Sequence, residues 1–505
     1  MIKKINLLKA VAVVTIYSVI TRFLSFLFKI YLSRSLGAEV VGLYQICLSV
    51  FFLMVAFSAS GLPLVLSRKI AEDLANGGRR ANKYLTATLV MSVGISSFIV
   101  LIFFIFKNNL TFIFADKRAM PLFLIMLPAL FSTCIYTSVR GWFWGHRDYN
   151  AFSLAELIEE VFRIAFSVLL AGGLLGWITG AKAIALAFTI SDFACAAVLI
   201  MLFLKRKGRF ERPSNYIELL RPSVPITAMR IFGGLIASLT ALVVPAMLVK
   251  NGMPSSIATA TFGRVAGMAM PLLMAPTTLT GALAIVLIPE IATASTKNDL
   301  SYLQSRIDGS LLFSLFISSL FCVLYIPFGR EVGEIVFNDT IAGDFLANSA
   351  ILLFPIGLNQ ISLSMLNSLG LEKKSFKNYI VGTVLLLTCI FILPKYIGVY
   401  AIAVGSGVCF TISAALNIKM LSTRIPLFEN LKKPILTICF MPLCCLLAYL
   451  LKWLIAPVLS SVWTVLIAGG IPMIIYFALA VVFEIIKLDR FYFKIKPQKK
   501  ATKPL

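Results

Sequence analysis

Apolar runs of about 20 residues recur along the whole chain, and they constrain its fold more than any other feature. Each run is long enough to cross roughly 30 Å of hydrocarbon. Backbone groups in lipid must be satisfied within their own segment, so each run is predicted to be a helix. We identify fourteen runs: 10–32, 40–60, 84–106, 120–139, 154–173, 182–204, 224–249, 258–288, 309–328, 345–366, 378–394, 398–421, 435–455 and 463–486. The sequence therefore predicts an all-α integral membrane protein with about fourteen transmembrane helices, of which run 258–288 is bent at Pro271 and Pro276.

Basic residues between the runs predict the orientation. With a cytoplasmic N-terminus, the inside segments hold 32 Lys and Arg and the outside loops hold 9. This bias is typical of a multi-pass protein of the plasma membrane with both termini cytoplasmic. The net charge of +24 is scattered over short loops, where it serves orientation and contact with anionic lipid. Nucleic acid is therefore not an expected partner, whereas membrane lipids are.

A weak internal repeat predicts two lobes. Gly61-Leu62-Pro63 closes run two, and Leu287-Ile288-Pro289 closes run eight in the same way. The predicted domains are an N-terminal six-helix lobe (1–204), a basic cytoplasmic linker (205–222), a C-terminal six-helix lobe (223–424), and two additional helices with a basic cytoplasmic tail (425–505). Paired lobes of this kind enclose the substrate site of many transporters.

Cations inside the apolar runs are the strongest functional signal. A charge at bilayer depth is costly and usually faces a protein interior or an aqueous cavity. Run one carries polar residues at spacings of 3, 4, 3 and 4, which place them on one helical face; they are Thr15, Ser18, Arg22, Ser25 and Lys29. Arg22 lies about 16 Å along the helix, near the bilayer midplane. This stripe predicts an anion-binding cavity wall; the alternative is helix packing with Lys29 reaching outward to the interface.

Two further arginines are candidates for the same cavity. Arg264, in run eight, is flanked by Gly263 and Gly267, which allow close backbone approach. Arg230 lies near the inner end of run seven, where the cavity and an interfacial anchor are equally good interpretations. We predict that Arg22 and Arg264 face one shared cavity between the lobes.

Arg163 has a different prediction. Asp192 in run six lies at a similar depth, and we predict a structural ion pair between the two. Glu156, Glu159 and Glu160 are expected at the cytoplasmic edge. The sequence contains no metal-ligand cluster, so neither a metal nor a cofactor is predicted.

The segment Arg140–Asp148 is expected to be an inside loop that mixes aromatic and basic residues. Its two tryptophans, Trp142 and Trp144, fit an interfacial aromatic belt. A contact with a lipid head group is the alternative.

Several short motifs stand in an order that is familiar from a known family. They are Thr21-Arg22, Leu36-Gly37-Ala38-Glu39 with Gly42-Leu43-Tyr44, Gly61-Leu62-Pro63 with Ser67 and Ala71-Glu72, Arg140-Gly141-Trp142-Phe143-Trp144-Gly145, Glu160-Val161-Phe162-Arg163-Ile164, and Phe262-Gly263-Arg264 through Pro289. With these motifs the chain, from about residue 5 to 425, resembles the stage V sporulation protein B group of polysaccharide and lipid-linked oligosaccharide flippases.

The resemblance implies a fold like that of multidrug and toxin extrusion transporters, with two six-helix lobes and two extra helices. It implies transport of undecaprenyl-diphosphate-linked sugars, and we expect a peptidoglycan precursor for the spore cortex, with cell-wall synthesis proteins as further partners. More distantly, the chain resembles lipid II flippases, which place cavity arginines in spans one and eight. Arg22 and Arg264 match those places, and Lys29 matches a second basic position. A third arginine, expected in span two, is missing.

The function predicted from these observations is a flippase rather than an enzyme. A cationic cavity that opens alternately to each face would shelter a diphosphate head group while the polyprenyl tail stays in lipid. The alternatives are an exporter of another lipid-linked polysaccharide unit and a cation-coupled multidrug antiporter, for which Asp192 is the one good ion-binding carboxylate. A membrane glycosyltransferase or polymerase would need an acid cluster or a large outer loop, and neither is evident.

Overall fold

The computed structural model describes residues 7–173, 176, 178–296, 299–427 and 431–485. In these ranges the secondary structure is helical and no strand occurs. Twenty α-helices are described: α1 (Leu7–Ala59), α2 (Leu62–Ala75), α3 (Ala81–Ile105), α4 (Ala119–Met126), α5 (Ala129–Gly145), α6 (Tyr149–Ala171), α7 (Gly180–Lys205), α8 (Tyr216–Lys250), α9 (Ser255–Phe262), α10 (Met270–Met274), α11 (Thr277–Thr296), α12 (Leu300–Phe337), α13 (Thr340–Ser349), α14 (Leu353–Ser368), α15 (Glu372–Ile392), α16 (Pro394–Ile397), α17 (Ala401–Ser422), α18 (Lys432–Ile455), α19 (Ser461–Thr464) and α20 (Gly470–Val482).

Shorter helical turns join some of these helices. Gly263–Ala269 and Val465–Gly469 are π-helical, and Asn109–Ile113, Ala350–Leu352 and Gly398–Tyr400 are 3-10 turns. The predicted bend of run 258–288 corresponds to the first π-helical segment and to the break between α10 and α11 at Ala275 and Pro276. All-helical architecture is thus confirmed over the described ranges.

Eleven helical stretches of the described chain are long and apolar enough to cross a membrane, or twelve if the bent pair α4 and α5 forms one span. The first stretch, Ile16–Ala75, covers most of run 10–32 and all of run 40–60. The helix α6 is not among them, because it carries four charged residues, Glu156, Glu159, Glu160 and Arg163. A multi-pass membrane protein is therefore confirmed, while the count of fourteen spans stays a prediction.

The long helix α1 is kinked at Gly37, whose φ of 79° lies in the region that glycine adopts at little cost. Just beyond the kink, α9 and the π-helical segment pack against α1 at a backbone-to-backbone contact. A methyl group on Gly42 would collide with the carbonyl of Thr259, and one on Gly263 would collide with the carbonyl of Ala38. Two motifs that are distant in sequence therefore meet at one crossing that glycine alone permits.

Contacts divide the chain into two compact units. Unit 1 takes the described residues of Met1–Pro271 together with Val336–Asp339 and Leu387–Gly405; unit 2 takes those of Leu272–Ile335, Thr340–Leu386 and Ser406–Leu505. The two units are defined by contacts between residues, whereas the predicted lobes were defined by a repeat in the sequence. The predicted division of the chain at 205–222 therefore stays a prediction.

Each unit has its own apolar core. In unit 1, α2, α3, α5 and α7 bury side chains such as Leu66, Leu85, Phe143 and Phe203. In unit 2, one core lies on α11, α12, α14 and α17, and another lies on α12, α18 and α20 around Tyr476. The candidate site residues all lie on helices of unit 1.

Candidate functional site

The polar stripe on α1 borders an open apolar face of that helix. Arg22 is exposed, whereas Ser18, Ser25 and Lys29 are half-buried. The side chain of Thr15 lies outside the described residues. Arg22 forms no hydrogen bond or ion pair with any residue that the structure describes. Within the described residues it is therefore a cation without a protein counter-charge, and its charge is open to an anion.

Exposed apolar side chains lie beside Arg22, next to the serines of the stripe. Val19 and Phe23, its neighbours on the helix surface, are 58% and 60% exposed. The adjacent Thr21 hydroxyl is buried and has no hydrogen-bond partner in the described structure.

Arg264 lies in the π-helical segment and already has a counter-charge. Its Nε donates a hydrogen bond of 2.7 Å to Oδ2 of Asp339, and the two side chains are 25% and 14% exposed. Sequence reasoning missed Asp339, because 75 residues separate the partners and nothing in the local pattern of either predicts the contact.

Arg230 lies exposed on α8 and has no partner among the described residues. The adjacent Ile231 lines a cavity of about 200 Å³ that is bordered by the polar residues Ser60, Ser223 and Thr227. The choice between cavity and interfacial anchor for Arg230 stays open.

A second cavity of about 340 Å³ is lined by Tyr17, Asn150, Leu154 and Arg206 among others. Neither cavity is lined by Arg22 or Arg264. The shared cavity of these two arginines therefore remains a prediction.

The predicted ion pair between Arg163 and Asp192 is wrong as a direct contact. Arg163 instead forms ion pairs with Glu159 at 2.5 Å and with Glu160 at 3.0 Å. The reason is local: residues three and four positions apart lie on the same face of a helix, so these carboxylates reach the guanidinium without any tertiary alignment. Arg163 also lies over the ring of Phe188, with 5.4 Å between its Cζ atom and the ring centroid.

Asp192 is held by neutral donors. Ser132 donates to Oδ2 at 2.9 Å and Thr133 donates to the same oxygen at 2.6 Å. Asp192 is 6% exposed. A buried carboxylate that is bonded only to hydroxyl groups is expensive to keep charged. Asp192 therefore remains the candidate ion-binding carboxylate that the sequence analysis named for the antiporter alternative.

The glutamates of α6 are half-buried or buried, and their predicted position at the cytoplasmic edge stays a prediction. Glu160 is 4% exposed, and its carboxylate acts electrostatically on both Arg163 and Lys29. Glu156 pairs with Arg140 at 3.2 Å. The charges of α6 thus belong to the interior of unit 1, where they balance the cations around them.

The segment from Arg140 is helical as far as Gly145 rather than a loop. Trp142 is 5% exposed and packs against Phe143, Phe203 and the ring of His146. This burial leaves little of Trp142 open to a lipid head group, which was the alternative to the predicted aromatic belt. Burial also lowers the pKa of His146, although its ring nitrogen contacts the Trp142 carbonyl.

A third charged group joins α1, the start of α4 and α9. Arg118 contacts Glu39 at 2.6 Å and Asp116 at 2.7 Å, and Thr259 donates to Asp116 at 3.3 Å. Burial opposes ionisation of Asp116, but the hydrogen bonds from Arg118 outweigh it and hold the pKa of Asp116 below its usual range. Glu39, the acid that follows Gly37-Ala38, thus has a structural role as a partner of Arg118.

Within the described ranges, no group of three or more His, Cys, Asp or Glu side chains could hold a metal ion. The nine cysteines are free thiols, and seven of them are buried.

The chain is similar in sequence and in fold to several known proteins. Stage V sporulation protein B of Bacillus subtilis (strain 168) is 24% identical over 511 residues, which cover 96% of this chain and 97% of that protein. Among solved structures, the lipid II flippase MurJ in an inward closed conformation matches with a TM-score of 0.73 at 15% identity, over 93% of this chain and 98% of that one. An inward-facing multidrug resistance transporter of the MATE family matches with a TM-score of 0.67 at 17% identity, over 82% of this chain and 98% of that one.

These likenesses confirm the predicted fold, which is that of the multidrug and toxin extrusion transporters. The family model described as "Polysaccharide biosynthesis protein" matches residues 7–295, more than half of the chain. That match includes Arg22, Lys29, Arg163, Asp192, Arg230 and Arg264. The chain belongs to the polysaccharide biosynthesis protein family.

Proposed function

We propose that this protein is a flippase that moves an undecaprenyl-diphosphate-linked sugar from the cytoplasmic to the outer leaflet by alternating access. The observation that carries the proposal is Arg22, an exposed cation on the polar stripe of α1 with no protein partner among the described residues. Membership of the polysaccharide biosynthesis protein family supports a role in handling sugar polymers or their precursors.

The diphosphate accounts for the choice of arginine. A guanidinium offers a planar pair of donors that matches phosphate oxygens, and such charge-assisted bonds are about twice as strong as neutral ones. The proposed substrate-binding set is Arg22, Lys29, Arg230 and Arg264 with Ser18 and Ser25. The polyprenyl tail would remain in the bilayer beside exposed apolar residues such as Val19 and Phe23.

The names of the relatives favour a cell-wall precursor as the sugar. One related protein is a stage V sporulation protein, and one structural neighbour is a lipid II flippase. We therefore propose a peptidoglycan precursor, destined for the spore cortex, as the substrate. Cell-wall synthesis proteins on the outer side would use the flipped product.

Membrane potential supports outward movement of such a substrate. With both termini cytoplasmic and the inside negative, moving about two negative charges outward gains roughly 4.6 kcal/mol per 100 mV. The return of the empty, positively charged protein opposes part of this gain. The net energy gained per cycle therefore depends on the charge that the empty cationic site carries back.

The test is reconstitution of the purified full-length chain in liposomes that contain fluorescent lipid-linked sugars. We expect flipping of an undecaprenyl-diphosphate-linked sugar and no flipping of the corresponding neutral polyprenol glycoside. Equal rates for both lipids would show that the diphosphate is not recognised and would overturn the proposal. Flipping rates for a panel of sugars on the same undecaprenyl-diphosphate lipid distinguish a peptidoglycan precursor from another polysaccharide unit.

A cation-coupled multidrug antiporter is the second candidate, and Asp192 is the observation that favours it. Asp192 is buried and accepts hydrogen bonds from Ser132 and Thr133 rather than from Arg163, so it is able to bind a coupling proton. Export of cationic dyes driven by a pH gradient, and lost in Asp192→Asn, would support this candidate. Flipping of lipid-linked diphosphates without dye export would exclude it.

A further inference from the structure

One of the proposed phosphate-binding arginines is occupied by a carboxylate of the protein itself. Arg264 donates through Nε to Asp339 at 2.7 Å, in a pair whose side chains are mostly but not fully buried. Arg22 has no such partner among the described residues. The two arginines of the proposed site therefore differ: Arg22 presents a free charge, while Arg264 presents a charge that is already compensated.

Asp339 reaches Arg264 because α1 holds the short segment Val336–Asp339, which belongs to unit 1. The Ser33 hydroxyl donates to the Phe337 carbonyl at 2.9 Å, and Arg34 donates through Nε to the Val336 carbonyl at 3.0 Å. The backbone then turns at Asn338, whose φ is 57°. Two hydrogen bonds and a left-handed turn thus fix the position of the Asp339 carboxylate.

The same region of α1 also contacts the segment that carries Arg264. Ser33 lies 3.4 Å from the Met268 sulfur, and Gly42 packs against the backbone of α9 and of Gly263. Arg264 itself lies in a π-helical stretch, and such stretches often occur at functional sites because they break the regular hydrogen-bond ladder. α1, the π-helical segment and Val336–Asp339 therefore form one latch, which we name the Asp339 latch.

We propose that Asp339 stands where a phosphate of the substrate binds Arg264, and that the substrate diphosphate displaces Asp339 and opens the latch. This inference rests on the proposed function. A carboxylate and a phosphate offer an arginine the same kind of anionic oxygen acceptor, so each can take the place of the other. Charge orientation places Asp339 on the predicted outer side.

Displacement links binding to conformation. While Asp339 holds Arg264, the segment Val336–Asp339 stays joined to α1 and to the π-helical segment. When a diphosphate binds Arg264, the segment loses its ionic contact with the π-helical segment, while the hydrogen bonds from Ser33 and Arg34 still hold it to α1. The competition also weakens binding, which favours release of the flipped lipid on the outer side.

The experiment compares three variants of the full-length protein in detergent with a short-chain polyprenyl diphosphate as the probe. Asp339→Asn removes the competing charge. Because Asp339 directly precedes α13, and asparagine caps helices as well as aspartate does, this change preserves the local fold. Asp339→Glu retains the charge. Asp344→Asn is the matched control. It removes a carboxylate five residues further along the chain, which pairs with Arg330 at a longer distance of 4.0 Å.

We expect Asp339→Asn to bind the probe about five- to tenfold more tightly than the wild type, which is the lower end of the coupling that linked sites typically show. Asp339→Glu and Asp344→Asn should bind like the wild type. Unchanged or weaker binding by Asp339→Asn, while the wild type still binds, would overturn the latch and leave the flippase proposal standing. Absence of binding by every form would overturn both, so the two failures are distinguishable.

Discussion

Removing Arg163 should destabilise the protein strongly, because two glutamates in the interior of unit 1 would lose their counter-charge. The Arg163 side chain is 18% exposed, and the Glu160 side chain that it pairs with is 5% exposed. Breaking a buried pair by removing one partner costs about 3–5 kcal/mol. Residual solvent contact at Glu159, whose side chain is 22% exposed, places the expected loss for Arg163→Met near the lower end, at about 3 kcal/mol.

The assay is reversible denaturant unfolding of the purified protein in detergent. Arg68→Met is the matched control, because Arg68 pairs with Glu72 in the same i,i+4 geometry but its side chain is 78% exposed, and such surface pairs contribute less than about 1 kcal/mol. The double variant Arg163→Met/Glu160→Gln should recover part of the loss. Equal destabilisation by Arg163→Met and Arg68→Met would refute the reasoning, since burial would then make no difference.

Three further predictions concern stability in the same assay. Asp192→Asn should cost no more than about 1 kcal/mol, since an amide oxygen still accepts the two hydroxyl hydrogen bonds; a loss of 3 kcal/mol or more would show that the charge itself is structural. Gly42→Ala should cost at least about 2 kcal/mol, because its methyl group meets backbone, whereas Gly94→Ala, with open space around it, should be neutral or slightly stabilising. The pKa of Asp116 is lowered in the folded protein, so its contribution to the free energy of unfolding is present above its unfolded pKa of about 3.9 and is lost as pH falls through the lower folded pKa. Asp116→Asn, which leaves Arg118 in place, should reduce this loss of stability in acid. An unchanged dependence of stability on pH would contradict the assignment.

The helical architecture was predictable because membrane burial imposes a length and a composition on each span. The apolar runs report both directly. The number of spans was less accessible. Helix α6 carries four charged residues, which a simple apolar criterion rejects. The helical stretch of α1 is interrupted at Gly37, where the backbone leaves the helical conformation.

The polar stripe of α1 was also predictable, since spacing alone places Ser18, Arg22, Ser25 and Lys29 on one face. What the stripe faces was not. Exposure of Arg22 depends on which other helices leave that face uncovered, and this is a property of tertiary packing.

Ion-pair partners divide into two kinds. The partners of Arg163 are local, at i−3 and i−4, and the helical period predicts them. The prediction of Asp192 relied on the similar membrane depth of the two residues and overlooked the carboxylates next to Arg163 on its own helix. The partner of Arg264 is Asp339, far away in sequence. No periodicity identifies such a pair, because its geometry depends on the turn at Asn338 and on the hydrogen bonds that hold the segment.

The flipping rate per folded molecule of Arg22→Ala is the measurement that tests the flippase account most directly. The variant is purified, reconstituted in liposomes and compared with Arg22→Lys, Arg68→Ala and the wild type, using an undecaprenyl-diphosphate-linked sugar. The account predicts that Arg22→Ala folds at normal yield but does not transport. Arg22→Lys should keep partial activity because it retains the charge without the paired donors, and Arg68→Ala should transport normally. Wild-type transport by Arg22→Ala would contradict the anion site on which the account rests.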